Sequence, residues 1–522
     1  MFFQSVRKPK AKAILNVNKT AVFNSNITTM LRKVFSTILV CLFSVPAYTQ
    51  SIDEKIGYAM NMSDWFTLDS LYSSTPKDSI HPFLEIYSRC LLGNRLNRPD
   101  VSVPAFQELF NTQSAYLDLN NLISSTFMFG MDLSRIGQND KAVEIMRSVL
   151  DASKQYLDSI TISNFISQAN RYEALSAYKP YQIQFDNENI GYIPFTIIPV
   201  GPKDKGSVLM HLNDSYINGC IADITFDTGA GTNLISPEMA EKYNLIPLEK
   251  TRVSVMGVRE KEGYIAIAKK IKLGNITVCD VPFTVISLSS NNSEADQYID
   301  AFNIVVGSDL MLQLKDLTID FVNHQITIPT VAPVRSNAVA NMCFSPTMNL
   351  LTKGYVLGTP MMMCLDSGDA AFGSASEYFY DSNKDYIEQN GRQDTIRTAG
   401  VGGFQIEDCY YIPNIPITIA GTTVTPSEFV VKTQKSSNNG DYDARIGLRT
   451  MMLFGKIHFN MVDFTISAQL PSLSAIIAPK YSTVQPFKVT VNKPSTLQTI
   501  GVVGMCIANG LLNHNAPSAP DL

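Results

Sequence analysis

Along residues 51–180 apolar positions return every three or four residues, whereas from residue 181 onward they come in short Val-, Ile- and Thr-rich runs that alternate with polar positions. The first pattern predicts helices and the second predicts strands, because one face of a helix recurs about every 3.6 residues and one face of a strand about every 2. Segments 121–136 and 141–157 carry Leu, Phe, Met, Ile and Val at helical spacing around a Gly137-Gln138-Asn139-Asp140 turn, and segments 63–72 and 82–92 read the same way. Pro180 and the strand-like stretch 181–185 mark the change of pattern. Past residue 475 the chain turns Pro-, Ser- and Asn-rich, and its apolar stretch 499–512 is too short to span a bilayer.

The strand-like region contains a repeat. Phe226-Asp227-Thr228-Gly229-Ala230 and Leu365-Asp366-Ser367-Gly368-Asp369 each end an apolar run, and each is followed by an apolar signature closing in glycine, Ile304-Val305-Val306-Gly307 and Ala444-Arg445-Ile446-Gly447. From acid to glycine the spacing is 307 minus 227, or 80, and 447 minus 366, or 81. Between them, Ile271-Lys272-Leu273-Gly274-Asn275-Ile276-Thr277-Val278 parallels Ile417-Thr418-Ile419-Ala420-Gly421-Thr422-Thr423-Val424, each a hairpin with a small-residue turn. The copies close alike, in Ile319-Asp320-Phe321-Val322-Asn323 and Ile457-His458-Phe459-Asn460. Two mainly β units of barrel-like size, each contributing one carboxylate to a shared site, are the expectation.

These motifs resemble the aspartic peptidases, with halves most like the retropepsin type, over roughly residues 205 to 470. The resemblance implies a multidomain chain: a mainly β bilobal body of two related retropepsin-like barrels behind an N-terminal all-α domain. It makes Asp227 and Asp366 the catalytic pair. Thr228 and Ser367 become the hydroxyl residues that cross the lobe junction, and Gly229 and Gly368 the glycines that let the loops approach. Val255-Met256-Gly257-Val258 and the glycine-rich stretch around Gly402 fall at similar offsets after the acids, 257 minus 227 being 30 and 402 minus 366 being 36, and fit either flap tips or plain hairpin turns. Two close carboxyls share one proton, so the ionised one can activate water while its protonated partner polarises the scissile carbonyl. No metal or other cofactor is required, and which acid holds the proton is open. The helical region resembles a degenerate tetratricopeptide-like array that recognises a protein partner, restrains the peptidase, or packs against it. The boundaries expected are 1–49 for a basic extension and signal peptide, 51–180 for the helical domain, 181–335 and 336–475 for the lobes, and 476–522 for a tail without assigned role.

The second half departs from the family pattern. Asp369 stands where a small or hydroxyl residue is usual, and Phe372-Gly373-Ser374 replaces the apolar pair that Asn233-Leu234-Ile235-Ser236 supplies. An extra carboxylate near the pair favours protonated forms, and Ala230 offers no side-chain donor, so a pH optimum less acidic than that of stomach-type enzymes is expected. Alternatively Asp369 pairs with Arg449 and never touches the two acids.

Composition narrows the function classes. With 522 residues there is material for two or three domains, and a net charge of -5 with pI near 5.7 gives no reason to expect nucleic acid. Five histidines lack metal-ligand spacing, no G-x-S-x-G elbow or phosphate loop occurs, and the Gly400, Gly402 pattern fails as a dinucleotide fingerprint at Gln405. From Met30, Arg32-Lys33 precede an apolar run 34–43 and Val45-Pro46-Ala47, the layout of a secretory signal and shorter than a membrane span. A bacterial-type periplasmic or extracellular protein without a stable membrane span is therefore expected. Of 8 cysteines, Cys41 falls in that signal, leaving 8 minus 1, or seven, so at least one thiol lies outside any intrachain disulfide. Three functions fit: a secreted endopeptidase acting on peptides or proteins, an inactive relative that binds peptides or acts as a scaffold, and an enzyme that mainly processes itself.

Overall fold

In a computed structural model, residues 50–472 and 500–502 are described, apart from 187–188, 202–205, 256–257, 290–291, 294–295, 297–298, 347, 401–402 and 436–440. The expected signal peptide lies outside these residues, as do Gly257 and Gly402. No described helix is long and apolar enough to cross a membrane.

The N-terminal region is helical. Helices Trp65–Ser74, Pro82–Arg95, Leu119–Arg135 and Asn139–Ser153 fall on the four segments read from periodicity, leaving out 63–64, 136 and 154–157 at their ends. Ile52–Asn61, Pro99–Glu108 and Ser159–Ser176 add to them. Starts are set locally: Ser51 and Glu54 form a capping box, Asp118 caps through Asn121 N–H, Asp158 caps through Thr161 N–H, and Pro82 and Pro99 occupy first turns. Buried Asp132 knots three helices, accepting from Asn94 Nδ2 at 3.0 Å, Ser102 Oγ at 2.6 Å and Arg135 Nη1 at 2.8 Å. A buried carboxylate with this many donors is satisfied where a lone one would be costly.

These helices are not a loosely tethered unit. Their apolar stripes join the β core in one continuous buried cluster that runs from Ile56 through Phe106 and Phe129 to Phe344 and Phe464. Polar contacts fix the docking. Arg95 Nη1 donates to Ser345 O at 2.7 Å, Asn97 Nδ2 to Met461 O at 2.9 Å and Arg335 Nη2 to Asn97 O at 3.0 Å, while the Arg135 guanidinium lies 4.6 Å from the Phe344 ring centre.

In the β region the two sequence copies follow the same strand path. The first sheet places Val208–Leu212, Ile224–Phe226, Ile304–Val306, Leu234–Ile235, Ile276–Val285 and Val258–Leu273 side by side. The second places Leu350–Val356, Thr359–Asp366, Ala444–Gly447, Gly373–Ala375, Phe429–Lys432 and Gly403–Ile412 in the matching order. In both, the strand that leads to or includes the late glycine runs parallel to the strand that leads to or ends at the acid, and antiparallel to the short strand on its other side. The closing strands Asp316–Asp320 and Lys456–Asn460 pair with each other, Thr318 opposite His458, so one sheet bonds the halves together. Leu317, Ile319, Ile457 and Phe459 seal that joint as buried side chains.

Gly373–Ala375 forms despite its poor apolar pattern because the position tolerates only glycine. Gly373 has φ +105° and a Cβ there would lie 2.1 Å from Arg445 O, so backbone pairing rather than side-chain burial defines the strand. Long hairpins, Ile246–Val255 with Val258–Leu273 and Arg392–Gly400 with Gly403–Ile412, follow the two acids, and Ile500–Val502 lies parallel to the second.

Candidate active site

Two fully buried strands, Ile224–Phe226 and the second half of Thr359–Asp366, deliver Asp227 and Asp366 to turns that face each other. Each turn is closed by its own acid. Asp227 Oδ1 accepts from Gly229 N–H at 2.9 Å and Ala230 N–H at 3.1 Å, and Asp366 Oδ1 accepts from Gly368 N–H and Asp369 N–H at 3.0 Å each. Donors aimed at one oxygen hold the carboxyl plane.

The two turns are locked by a reciprocal exchange. Thr228 Oγ1 donates to Leu365 O at 2.7 Å and accepts from Ser367 N–H at 3.1 Å, while Ser367 Oγ donates to Phe226 O at 2.8 Å and accepts from Thr228 N–H at 3.0 Å. All four bonds are buried, so each hydroxyl satisfies backbone groups of the opposite half that would otherwise be stranded. Gly229 then approaches Asp366 so closely that a Cβ would lie 2.4 Å from its Cγ, which is why this position carries no side chain.

Behind each turn sits its brace. Asp227 N–H donates to Val306 O at 3.0 Å, and Ser308 N–H donates to Ala230 O at 2.8 Å; in the second half Leu448 N–H donates to Asp369 O at 2.8 Å. Asn233, read from sequence only as the neighbour of an apolar pair, accepts from Gly307 N–H at 3.1 Å and donates to Tyr181 Oη at 3.0 Å and Pro282 O at 3.1 Å. Tyr181 belongs to the segment that follows the helices, so the first turn is braced from that junction as well.

The surroundings of the acids differ. Around Asp227 lie Ala230, Leu234 and Val305 in a buried apolar cluster that Ala370 of the second half joins. Beside Asp366 lies Arg445, 7% exposed, its Nε 3.3 Å from Asp366 Oδ2 and its Nη2 bonded to Tyr442 Oη. Asp369, 3% exposed, accepts from Ala371 N–H at 3.0 Å. Burial pushes its carboxyl up to about 7 against the opposing pull of Arg445, with the charge of Asp366 pushing the same way as burial.

The expected Asp369–Arg449 pair does not form. Arg449 turns elsewhere: its guanidinium lies 3.9 Å from the Phe372 ring centre and against Gly206, with Glu428 as the acid that acts on it. Arg445 supplies the cation instead. Its signal was present in the sequence as a charge inside an otherwise apolar signature. Among the described residues no three His, Cys, Asp or Glu side chains cluster as metal ligands.

The profile of the family described as aspartyl protease matches residues 214–308, a span that contains Asp227, Thr228, Gly229 and the brace through Gly307. A search of curated proteins returns no match. The profile supports an aspartyl protease domain in this part of the chain, and such a domain implies peptide substrates.

Proposed function

We propose that this chain is an aspartic endopeptidase of two related, retropepsin-like lobes, 181–335 and 336–475, with Asp227 and Asp366 as the catalytic pair. The observation that carries the reading is the reciprocal lock of Thr228 and Ser367, which sets two acid-bearing turns of like geometry against each other across the junction. Such a pair shares a proton. The ionised carboxylate takes a proton from a water held between them, that water attacks the scissile carbonyl, and the protonated partner donates to the carbonyl oxygen. The hairpins around Gly257 and Gly402 act as covers that hold an extended peptide and exclude solvent. Export by the N-terminal segment, and a periplasmic or extracellular place of action, complete the proposal.

A second reading keeps the fold and drops turnover: an inactive relative that binds peptides. The cation Arg445 beside Asp366, where the first half has apolar Val305, favours it, since the two acids do not stand in like surroundings. Incubating the purified chain with denatured protein across pH and identifying fragments by mass spectrometry separates the two. Cleavage that falls by at least about 100-fold in both Asp227→Asn and Asp366→Asn supports the peptidase. Peptide binding without cleavage supports the relative.

A further inference from the structure

We propose that Arg445 is a positioning residue that fixes the negative charge of the acid pair on Asp366, leaving Asp227 to carry the shared proton. This rests on the peptidase reading and deepens it, because it assigns the two roles that the resemblance leaves open.

Strand register explains how the arginine reaches the acid. Arg445 pairs with Cys364, two residues before Asp366, on a strand running in the same direction. A long side chain launched there extends toward the carboxyl, and Nε arrives 3.3 Å from Oδ2 with Asp366 fully buried. The first half has an equivalent position. Val305 pairs with Thr225, two residues before Asp227, and is buried among apolar neighbours. Ala230 and Asp369, each three residues past its acid, form a second matched pair of positions. Thus two apolar side chains beside Asp227 are exchanged for a cation and an acid beside Asp366: the buried guanidinium finds its counter-charge in Asp366 at 3.3 Å, and its field eases the burial of Asp369.

Other charged groups near this point are already engaged or lie on the far side. Lys432 on the neighbouring strand is held by Glu407 at 2.8 Å, Arg449 stacks on Phe372 near Glu428, and Asp443 accepts from Met362 N–H at 2.8 Å. Tyr442 Oη meets Arg445 Nη2, and the Cys364 thiol is buried. On the first-half side Asp309 bonds Thr232. Asp369 keeps its proton more readily than an ordinary aspartate, so below neutral pH the guanidinium acts chiefly on Asp366.

The roles follow with atoms in balance. Water forms the new C–O bond and gives a proton to Asp366 as Asp227 delivers its proton to the carbonyl oxygen. The tetrahedral diol then collapses: the C–N bond breaks, its electron pair leaves on nitrogen, nitrogen takes the proton from Asp366, and one hydroxyl returns a proton to Asp227. One water is consumed and the starting charges are restored.

The test compares Arg445→Val, which installs the first-half residue, Arg445→Lys, which keeps the charge, and Arg445→Val/Asp369→Ala, which copies the whole first-half layer and guards against misfolding of the single variant. An opposite charge at this range lowers a carboxyl by about 1 to 3 pH units. The acid limb of the pH dependence of kcat/KM should therefore move up by about that much in Arg445→Val and in the double variant, and return toward the parent in Arg445→Lys. An acid limb that stays in place in both Val variants overturns the proposal. Carboxyl 13C titration of the unmodified protein decides the point without turnover: Asp366 losing its proton before Asp227 supports the assignment, and the reverse order overturns it. A folded chain that cleaves nothing while Asp366 still titrates first would defeat the peptidase reading alone.

Discussion

The two halves of the β region trace one strand path around opposite chemistries. Asp227 sits in an apolar layer of Ala230, Leu234 and Val305, while Asp366 sits beside Asp369, Ser374 and Arg445 at the matching places. What stays constant is backbone bonding. Both acids take two N–H donors on one oxygen, both late glycines press against the turn they brace, and each hydroxyl crosses to the opposite half. Geometry at this site is therefore carried by the main chain and two hydroxyls, which leaves the layer behind the acids free to diverge and to make them electrically unequal.

That comparison can be broken most forcefully at Arg445. Removing one partner of a buried ion pair costs about 3 to 5 kcal/mol, so Arg445→Met, which leaves Asp366 buried without its cation, should lose stability on that scale at neutral pH, measured by denaturant unfolding, and much of it should return when Asp366→Asn is added. A loss that is the same with and without the Asp366 charge would mean that the two residues do not compensate each other. Next in size comes the lock. Thr228→Ala and Ser367→Ala each strand buried backbone groups of the other half and should cost about 1 to 3 kcal/mol each, with similar values because the bonds are reciprocal. Strongly unequal costs would show that one half, not both, holds the junction.

A finer probe uses pH. Asp369 titrates at about 7 when folded, whereas an unfolded aspartate titrates near about 3.9. Between those values the folded protein keeps a proton that the unfolded chain has lost, so this residue makes stability fall as pH rises from about 4 to about 7. Thermal melts of Asp369→Asn should be flatter than those of the parent across that window. The smallest effect belongs to Arg449: Arg449→Met forfeits a cation–ring contact worth about 0.5 to 1 kcal/mol and leaves the part of the pH response that belongs to Asp369 unchanged.

Much of this arrangement is legible in the sequence, and the illegible parts have physical causes. The acidic turns and their braces stand out because main-chain geometry demands Asp, a hydroxyl residue and Gly at fixed places, and the sequence repeat writes that demand twice. The helices are readable from periodic apolar stripes. Their docking through Arg95 and Asn97 is not, since those contacts reach across 250 and 364 residues of sequence and leave no local pattern. Gly373–Ala375 escapes notice because a strand held by backbone pairing needs no apolar signature. Arg445 stands out in sequence, but a single charge in an apolar run says nothing of its partner, and the nearby Arg449 offers an equally plausible cation for Asp369.

The central claim is that Asp227 and Asp366 address one ligand atom between them, and binding of a peptide that carries a hydroxyl-bearing tetrahedral centre in place of the scissile amide tests it most directly. Transition-state mimics gain at least about 100-fold over substrate, so calorimetric titration should show Kd for the mimic rising on that scale in both Asp227→Asn and Asp366→Asn. Affinity unchanged in either variant would contradict a shared site.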